Sequence, residues 1–215
     1  MRRMLLEKTG TAIWMSHLDL MRLMQRAFRR AGVLLHHSQG YTPHAYVSML
    51  LPLSVGTESV CEIMEYELDA DIRITPEDMN AVLPQGVRVL RVYESERKAK
   101  YLTELSVALT LLYDRGVPED AEKRIGALLN GDALIVEKRT KRGAEETDIR
   151  PMIHKTDFSV SEKQITLTAL ISAQNPSLNP ALLIAAIERY LPLDQPDFVR
   201  YRRLEVYDEN GEVFR

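Results

Sequence analysis

Three short stretches recur in the same order in the two halves of this chain, and that repetition limits its fold more than any other feature. Thr75-Pro76 is matched by Asn179-Pro180, Leu83-Pro84 by Leu191-Pro192, and a strand ending Val92-Tyr93 by one ending Val206-Tyr207. The offset drifts from roughly 104 to roughly 114 residues, as insertions in loops would make it. Any one match is ordinary; all three in order point to a duplication. In 215 residues a duplication leaves about 100 residues per unit, a common domain size.

Local signals fill in the units. In the first half a strand near Arg3 to Lys8 precedes a helix capped by Ser16, with Asp19 three residues on and Gly32 at its end. Leu20, Met21, Met24, Ala27, Phe28 and Ala31 recur at helical spacing, and Arg22, Arg26, Arg29 and Arg30 fall on the opposite face. A strand at Val33 to His37 and a polar loop from Ser38 to His44 follow. Strands near Tyr46 to Leu53 and Cys61 to Leu68 read as a hairpin around Gly56. Thr75 caps a second helix with Pro76 at its first position; it stops at Leu83-Pro84, before a strand at Val87 to Tyr93.

The second half reads as a strand at Leu105 to Tyr113, a helix from Pro118 to Leu129, and a strand at Ala133 to Lys138. Strands near Asp148 to Phe158 and Gln164 to Ser172, a helix from Asn179-Pro180 to Leu191, and a strand at Val199 to Tyr207 complete it. The expected fold is α+β: two tandem ferredoxin-like β-α-β-β-α-β units, each an antiparallel sheet with helices on one face. They are expected over residues 1–98 and 101–215, joined at Arg97-Lys98-Ala99-Lys100.

Composition excludes several classes. The only cysteine is Cys61, so an intrachain disulfide, a four-thiolate zinc site and a cysteine-ligated iron–sulfur cluster are ruled out for this chain alone. No apolar run approaches the length of a membrane span, and Glu7 and Lys8 interrupt any signal-peptide core; a cytoplasmic protein that binds no membrane is expected. The motifs of phosphate-binding loops, dinucleotide folds, serine hydrolases and zinc proteases are missing, as is the aromatic motif of RNA-recognition sheets.

Net charge is −3, yet the cations are segregated. The arginines of the first helix form one cluster. Lys138, Arg139, Lys141 and Arg142 form a second, and Arg200, Arg202 and Arg203 a third. Each reads either as solvated surface or as a track for a phosphate backbone. Of the histidines, His36 and His37 are adjacent on a strand and face opposite ways, so a metal site gathers poorly and none is expected. His17 and His44 are the acid–base candidates for RNA cleavage or modification. The loop of Ser38, Gln39, Gly40, Tyr41 and His44 is the best single candidate for a ligand site.

The segments Ser16-His17-Leu18-Asp19-Leu20-Met21-Arg22, Arg26-Ala27-Phe28-Arg29-Arg30-Ala31-Gly32 and Ser38-Gln39-Gly40-Tyr41-Thr42-Pro43-His44 resemble a bacterial family, the radical SAM-linked proteins, a domain of unknown function. Lys138 to Gly143 and Asp148-Ile149-Arg150-Pro151 extend the resemblance along nearly the whole chain, while Tyr41-Thr42 departs from an expected Phe-Asn. The resemblance implies genetic association with, or fusion to, a B12-type radical SAM protein, often near genes for RNA processing. It brings no known activity and no cofactor. A fainter, fold-level similarity links the first helix to tandem ferredoxin-like CRISPR RNA-processing nucleases. An RNA-binding or substrate-presenting partner of a radical SAM protein is the leading expectation. The alternatives are a metal-independent RNA-processing enzyme using His17 and His44, and a protein–protein adaptor.

Overall fold

Strand β1 (Arg2–Lys8) lies in the middle of the N-terminal sheet of the computed structural model, which describes residues 1–140 and 143–215. It pairs antiparallel with β3 (Thr57–Tyr66) on one side and β4 (Val87–Glu94) on the other, and a short β2 (Val47–Met49) extends the sheet beyond β3. The order is therefore β4-β1-β3-β2. The chain is a mixed α+β protein whose described strand pairs are predominantly antiparallel. It divides into two compact units, Met1–Tyr101 with Arg215, and Leu102–Phe214.

Helix α1 (His17–Arg30) begins where the sequence places it. Ser16 Oγ accepts from the Asp19 amide at 3.2 Å and donates to the Asp19 carboxylate at 2.7 Å, and that hydroxyl holds the Asp19 pKa below its ordinary value. Leu20, Met24, Ala27 and Phe28 are buried against Met4 and Leu6 of β1 and Met64 and Tyr66 of β3, one apolar core. Helix α2 (Pro76–Asn80) has the full capping box, with Thr75 and Asp78 exchanging hydrogen bonds. It is shorter than expected, ending at Asn80, whose side chain reaches the main chain of Val89, donating at 2.9 Å and accepting at 2.8 Å. Gly86 makes the approach to β4 possible. At φ +90, a Cβ there would stand 2.6 Å from the Thr9 carbonyl oxygen and 2.9 Å from Ala12 Cβ.

Two expected strands of this unit change. Val33 to His37 makes only single bridges, Leu35 to Leu68 and His37 to Ala45. His36 N donates to Glu67 O within the Leu35–Leu68 bridge, while Val33 N donates to Phe28 O at the end of α1, and no continuous ladder forms. The strand expected over Tyr46 to Leu53 contracts to β2.

In the second unit β5 (Glu104–Leu112) pairs with β10 (Phe198–Tyr207) and β9 (Gln164–Ser172), and β9 with β8 (Ile153–Ser161). The order is β10-β5-β9-β8. With the strands that form a separate two-stranded sheet before β8 set aside, this repeats by position the order of the first unit. Leu105, Val107, Leu109 and Leu111 alternate with half-buried neighbours, and Ile165, Leu167, Ala169 and Ile171 do the same on β9, the period of a sheet with one covered face. Helices α3 (Ala121–Leu129) and α4 (Ala181–Tyr190) are amphipathic, burying Ile125 and Leu129 and Leu183 and Ile187.

A separate hairpin, β6 (Ile135–Thr140) and β7 (Gly143–Asp148), lies between α3 and β8. The single strand expected over Asp148 to Phe158 is in fact two, broken by a 3-10 turn at Arg150–Met152. Asp148 Oδ1 accepts from the Leu134 amide at 2.8 Å and the Arg150 amide at 3.0 Å, and these two bonds hold its pKa low.

Arg124 grips the buried Asp194 through two bonds, at 2.8 and 2.6 Å, and Tyr113 Oη donates to the Asp194 carbonyl at 2.9 Å. Burial, then the carboxylates of Asp194 and Asp197, push the Tyr113 phenol up to about 12. An unfolded tyrosine titrates near pH 10. Below about pH 10 both states keep the proton and the stabilising contribution is complete; between about 10 and 12 only the folded state keeps it, so stability falls as pH rises. Urea midpoints from neutral to about pH 11 are expected to fall more steeply for the wild type than for Tyr113→Phe, which lacks that proton. Parallel pH dependences would contradict the assignment.

Candidate nucleic-acid interface

The exposed side of α1 follows directly from its buried side. With Met24 and Phe28 fixed in the core, Arg22, Arg26, Arg29 and Arg30 are exposed along one face. Arg22 meets Asp19 at 3.1 Å with both side chains more than half exposed, a contact worth little in water. Arg30 donates to the Val82 carbonyl at 2.8 Å. Arg26 and Arg29 have neither an ion pair nor a hydrogen-bond partner among the described residues. The row climbs about 6 Å from Arg22 to Arg26 and about 4.5 Å from Arg26 to Arg29 along the helix axis.

The second basic cluster is different. In the hairpin, Lys138 stands directly opposite Glu145, Arg139 opposite Ala144, and Glu146 pairs with Arg189 at 2.9 Å. Lys141 and Arg142 lie outside the described residues. From Ile135 to Asp148 the sequence sets Lys138, Arg139, Lys141 and Arg142 against Glu137, Glu145, Glu146 and Asp148. By sequence the segment therefore carries as many carboxylates as cations. On β10, Arg200 and Arg202 are exposed while Arg203 is buried.

The loop from Ser38 to His44 is closed at its base. Ser38 N donates to His44 O at 2.9 Å, and His44 N donates to Ser38 Oγ at 3.0 Å. Gln39, Gly40, Tyr41 and His44 are exposed, and Gly40 takes φ +144. Beneath it is a cavity of about 230 Å³ lined by Ser38, His44, Tyr46, Val47, Tyr66 and Glu67, among others.

His17 and His44 do not come together. His17 follows β1 at its Lys8 end, where Lys8 Nζ donates to the Met15 carbonyl at 2.8 Å. His44 borders the cavity that Met1 and Tyr66 line, and Tyr66 pairs with Arg2 at the other end of β1. Seven extended residues separate the two by about 20 Å, too far for a shared proton relay. The two acid–base candidates thus lie toward different ends of β1.

Two features escaped the sequence. His36 Nδ1 lies 2.8 Å from Asp69 Oδ1, and its ring stacks on Tyr46 with centroids 5.3 Å apart. The chain's single tryptophan, Trp14, is 67% exposed. Among the described residues no group of three or more His, Cys, Asp or Glu is arranged to hold a metal ion, and no helix is long and apolar enough to cross a membrane.

A family model described as "Uncharacterized protein conserved in bacteria (DUF2344)" matches residues 2–180. The chain belongs to this family. No curated protein matches it. Among solved structures, a chain in the crystal structure of a Cbf5-Nop10-Gar1 complex is similar with a TM-score of 0.53 and 12% identity, over 97% of this chain and 50% of that one. A chain in the archaeal box H/ACA sRNP Nop10-Cbf5 complex is similar with a TM-score of 0.47 and 11% identity, over 94% of this chain and 46% of that one. The DUF2344 chain spans about half the length of these two solved chains, and the first likeness shows fold alone.

Proposed function

We propose that this protein is a non-catalytic RNA-binding or substrate-presenting accessory factor, acting in the cytoplasm with a B12-type radical SAM protein. The observation that carries the RNA reading is the exposed arginine row of α1, in which Arg26 and Arg29 have no protein partner among the described residues. Guanidinium groups left unneutralised on one helix face suit a phosphate backbone, which accepts their forked hydrogen bonds. The radical SAM partner rests on the sequence resemblance. Both units are read as ferredoxin-like, and the matching strand orders support a duplication.

Within this reading the loop Ser38, Gln39, Gly40, Tyr41 and His44 is a secondary ligand site at the far end of the sheet. Lys138, Arg139, Lys141 and Arg142 are a further candidate track in this reading, with Lys138 standing opposite Glu145 across the hairpin. The enzyme alternative is disfavoured, since His17 and His44 are too far apart to act on one phosphodiester.

The test is binding of the purified protein to total bacterial RNA across a salt series. Log affinity is expected to fall linearly with log salt, with a slope of about −2 to −3 for three or four contacts to single strands. Absence of binding at low salt would remove the proposal and favour the protein–protein adaptor.

A further inference from the structure

We infer that the RNA bound by α1 is single-stranded, with one base stacked on Trp14 at the head of the arginine row. This inference rests on the RNA-binding reading and narrows it to a substrate class. Trp14 ends the 3-10 turn Gly10–Trp14, and α1 begins three residues later. Its indole is 67% exposed although tryptophan carries the largest apolar surface of any side chain.

The backbone on either side of that indole, and its benzo edge, are nevertheless held. Gly56 N donates to the Ile13 carbonyl at 2.8 Å, and a Cβ on Gly56 would lie 3.5 Å from the Trp14 ring. Lys8 Nζ fixes the next residue through the Met15 carbonyl at 2.8 Å. An exposed ring on an anchored backbone is a platform rather than a loose side chain.

Along the chain, the exposed positions of α1 follow Trp14 directly. Leu18 is 63% exposed and lies one turn before Arg22 on the same face of α1. Arg26 and Arg29 follow. An aromatic face leading into a line of guanidinium groups has the two parts that single strands need: a π-surface for an unstacked base and cations along the backbone. A duplex keeps its bases stacked on each other, so it could use the arginines and not the indole. A protein partner could also cover Trp14 and Leu18. The neighbouring row of uncompensated cations favours a polyanion.

Because Trp14 is the only tryptophan, its emission reports on this one position. The experiment titrates the full chain with oligoadenylate and, separately, with the duplex of oligoadenylate and oligouridylate, at several salt concentrations. Oligoadenylate is expected to quench Trp14 emission as it binds, and the duplex to bind more weakly without quenching. Trp14→Ala should lower single-strand affinity about 5- to 150-fold, the range for loss of one stacked base. Its salt slope should not change, since no phosphate contact is lost, and Trp14→Phe should recover part of the affinity. Circular dichroism of Trp14→Ala should match the wild type, as expected for an exposed side chain.

Equal binding of strand and duplex with unmoved emission would overturn the stacking inference while leaving the RNA reading intact. Binding of neither would overturn both. Self-association that disappears in Trp14→Ala, with RNA affinity unchanged, would assign the apolar head of α1 to a protein interface and also overturn it.

Discussion

Replacing both Arg26 and Arg29 with glutamate is expected to weaken RNA binding by about 100-fold or more. Each guanidinium–phosphate contact is charge-assisted and contributes about 1.5–3 kcal/mol, so losing two removes at least about 3 kcal/mol before the new carboxylates add repulsion. The more decisive signature is the salt slope. Two fewer phosphates neutralised should flatten it by about 1.4 on a single strand. Stability should change by only about 0.5 kcal/mol, because both side chains are exposed and Arg26 and Arg29 have no partner to lose among the described residues. The glutamate at 26 would stand one turn from Arg22 and Arg30 and form i,i+4 pairs, offsetting the unfavourable carboxylate near the helix C-terminus. Reduced affinity with an unaltered slope would mean that the helix was perturbed and not its phosphate contacts.

That prediction depends on a part of the molecule legible in the sequence. Ser16 and Asp19 mark the start of α1, and Leu20, Met24, Ala27 and Phe28 set its buried face, so the arginine face follows from period alone. The helix starts at Thr75-Pro76 and Asn179-Pro180 are legible for the same reason: Thr75 exchanges hydrogen bonds with Asp78, and Asn179 Oδ1 accepts from the Ala181 amide, both between near neighbours in the chain.

What was not legible depends on residues far apart in the chain. Val33, Leu34 and Leu35 have strand-like composition, but their fate is decided by the Val33 amide bonding Phe28 and by Leu35 bridging only to Leu68. The His36–Asp69 contact joins positions 33 residues apart, and neither residue carries a local sign of the other. Strand β7 offers no alternation, since Ala144, Glu145 and Glu146 are all exposed; it is held by pairing with β6 and not by a buried face. The placing of Lys138 opposite Glu145 needs the register of that hairpin. For His17 and His44, nearness within the first 44 residues suggested a site, whereas β1 carries them to opposite ends of the sheet.

Phe28→Ala is expected to cost about 3–5 kcal/mol, the range for a fully buried aromatic. Phe28 has no exposed surface and packs on Tyr66 with ring centroids 5.0 Å apart. Removing the ring opens a cavity between α1 and β3 and deprives Met24 and Met64 of packing neighbours in the same core. In a unit of this size each kcal/mol moves the melting temperature by about 4–8 °C, so thermal unfolding followed by far-ultraviolet circular dichroism should shift by more than about 10 °C. Phe28→Leu, closer in volume, should cost only about 1 kcal/mol. The same variant bears on the arginine row without altering any cation. A loosened α1 no longer holds its guanidinium groups in line, so RNA affinity should fall with the melting temperature. An unchanged melting temperature would mean that Phe28 does not face the core. The helix would then be rotated, and Arg26 and Arg29 would lose the exposure on which the phosphate track depends.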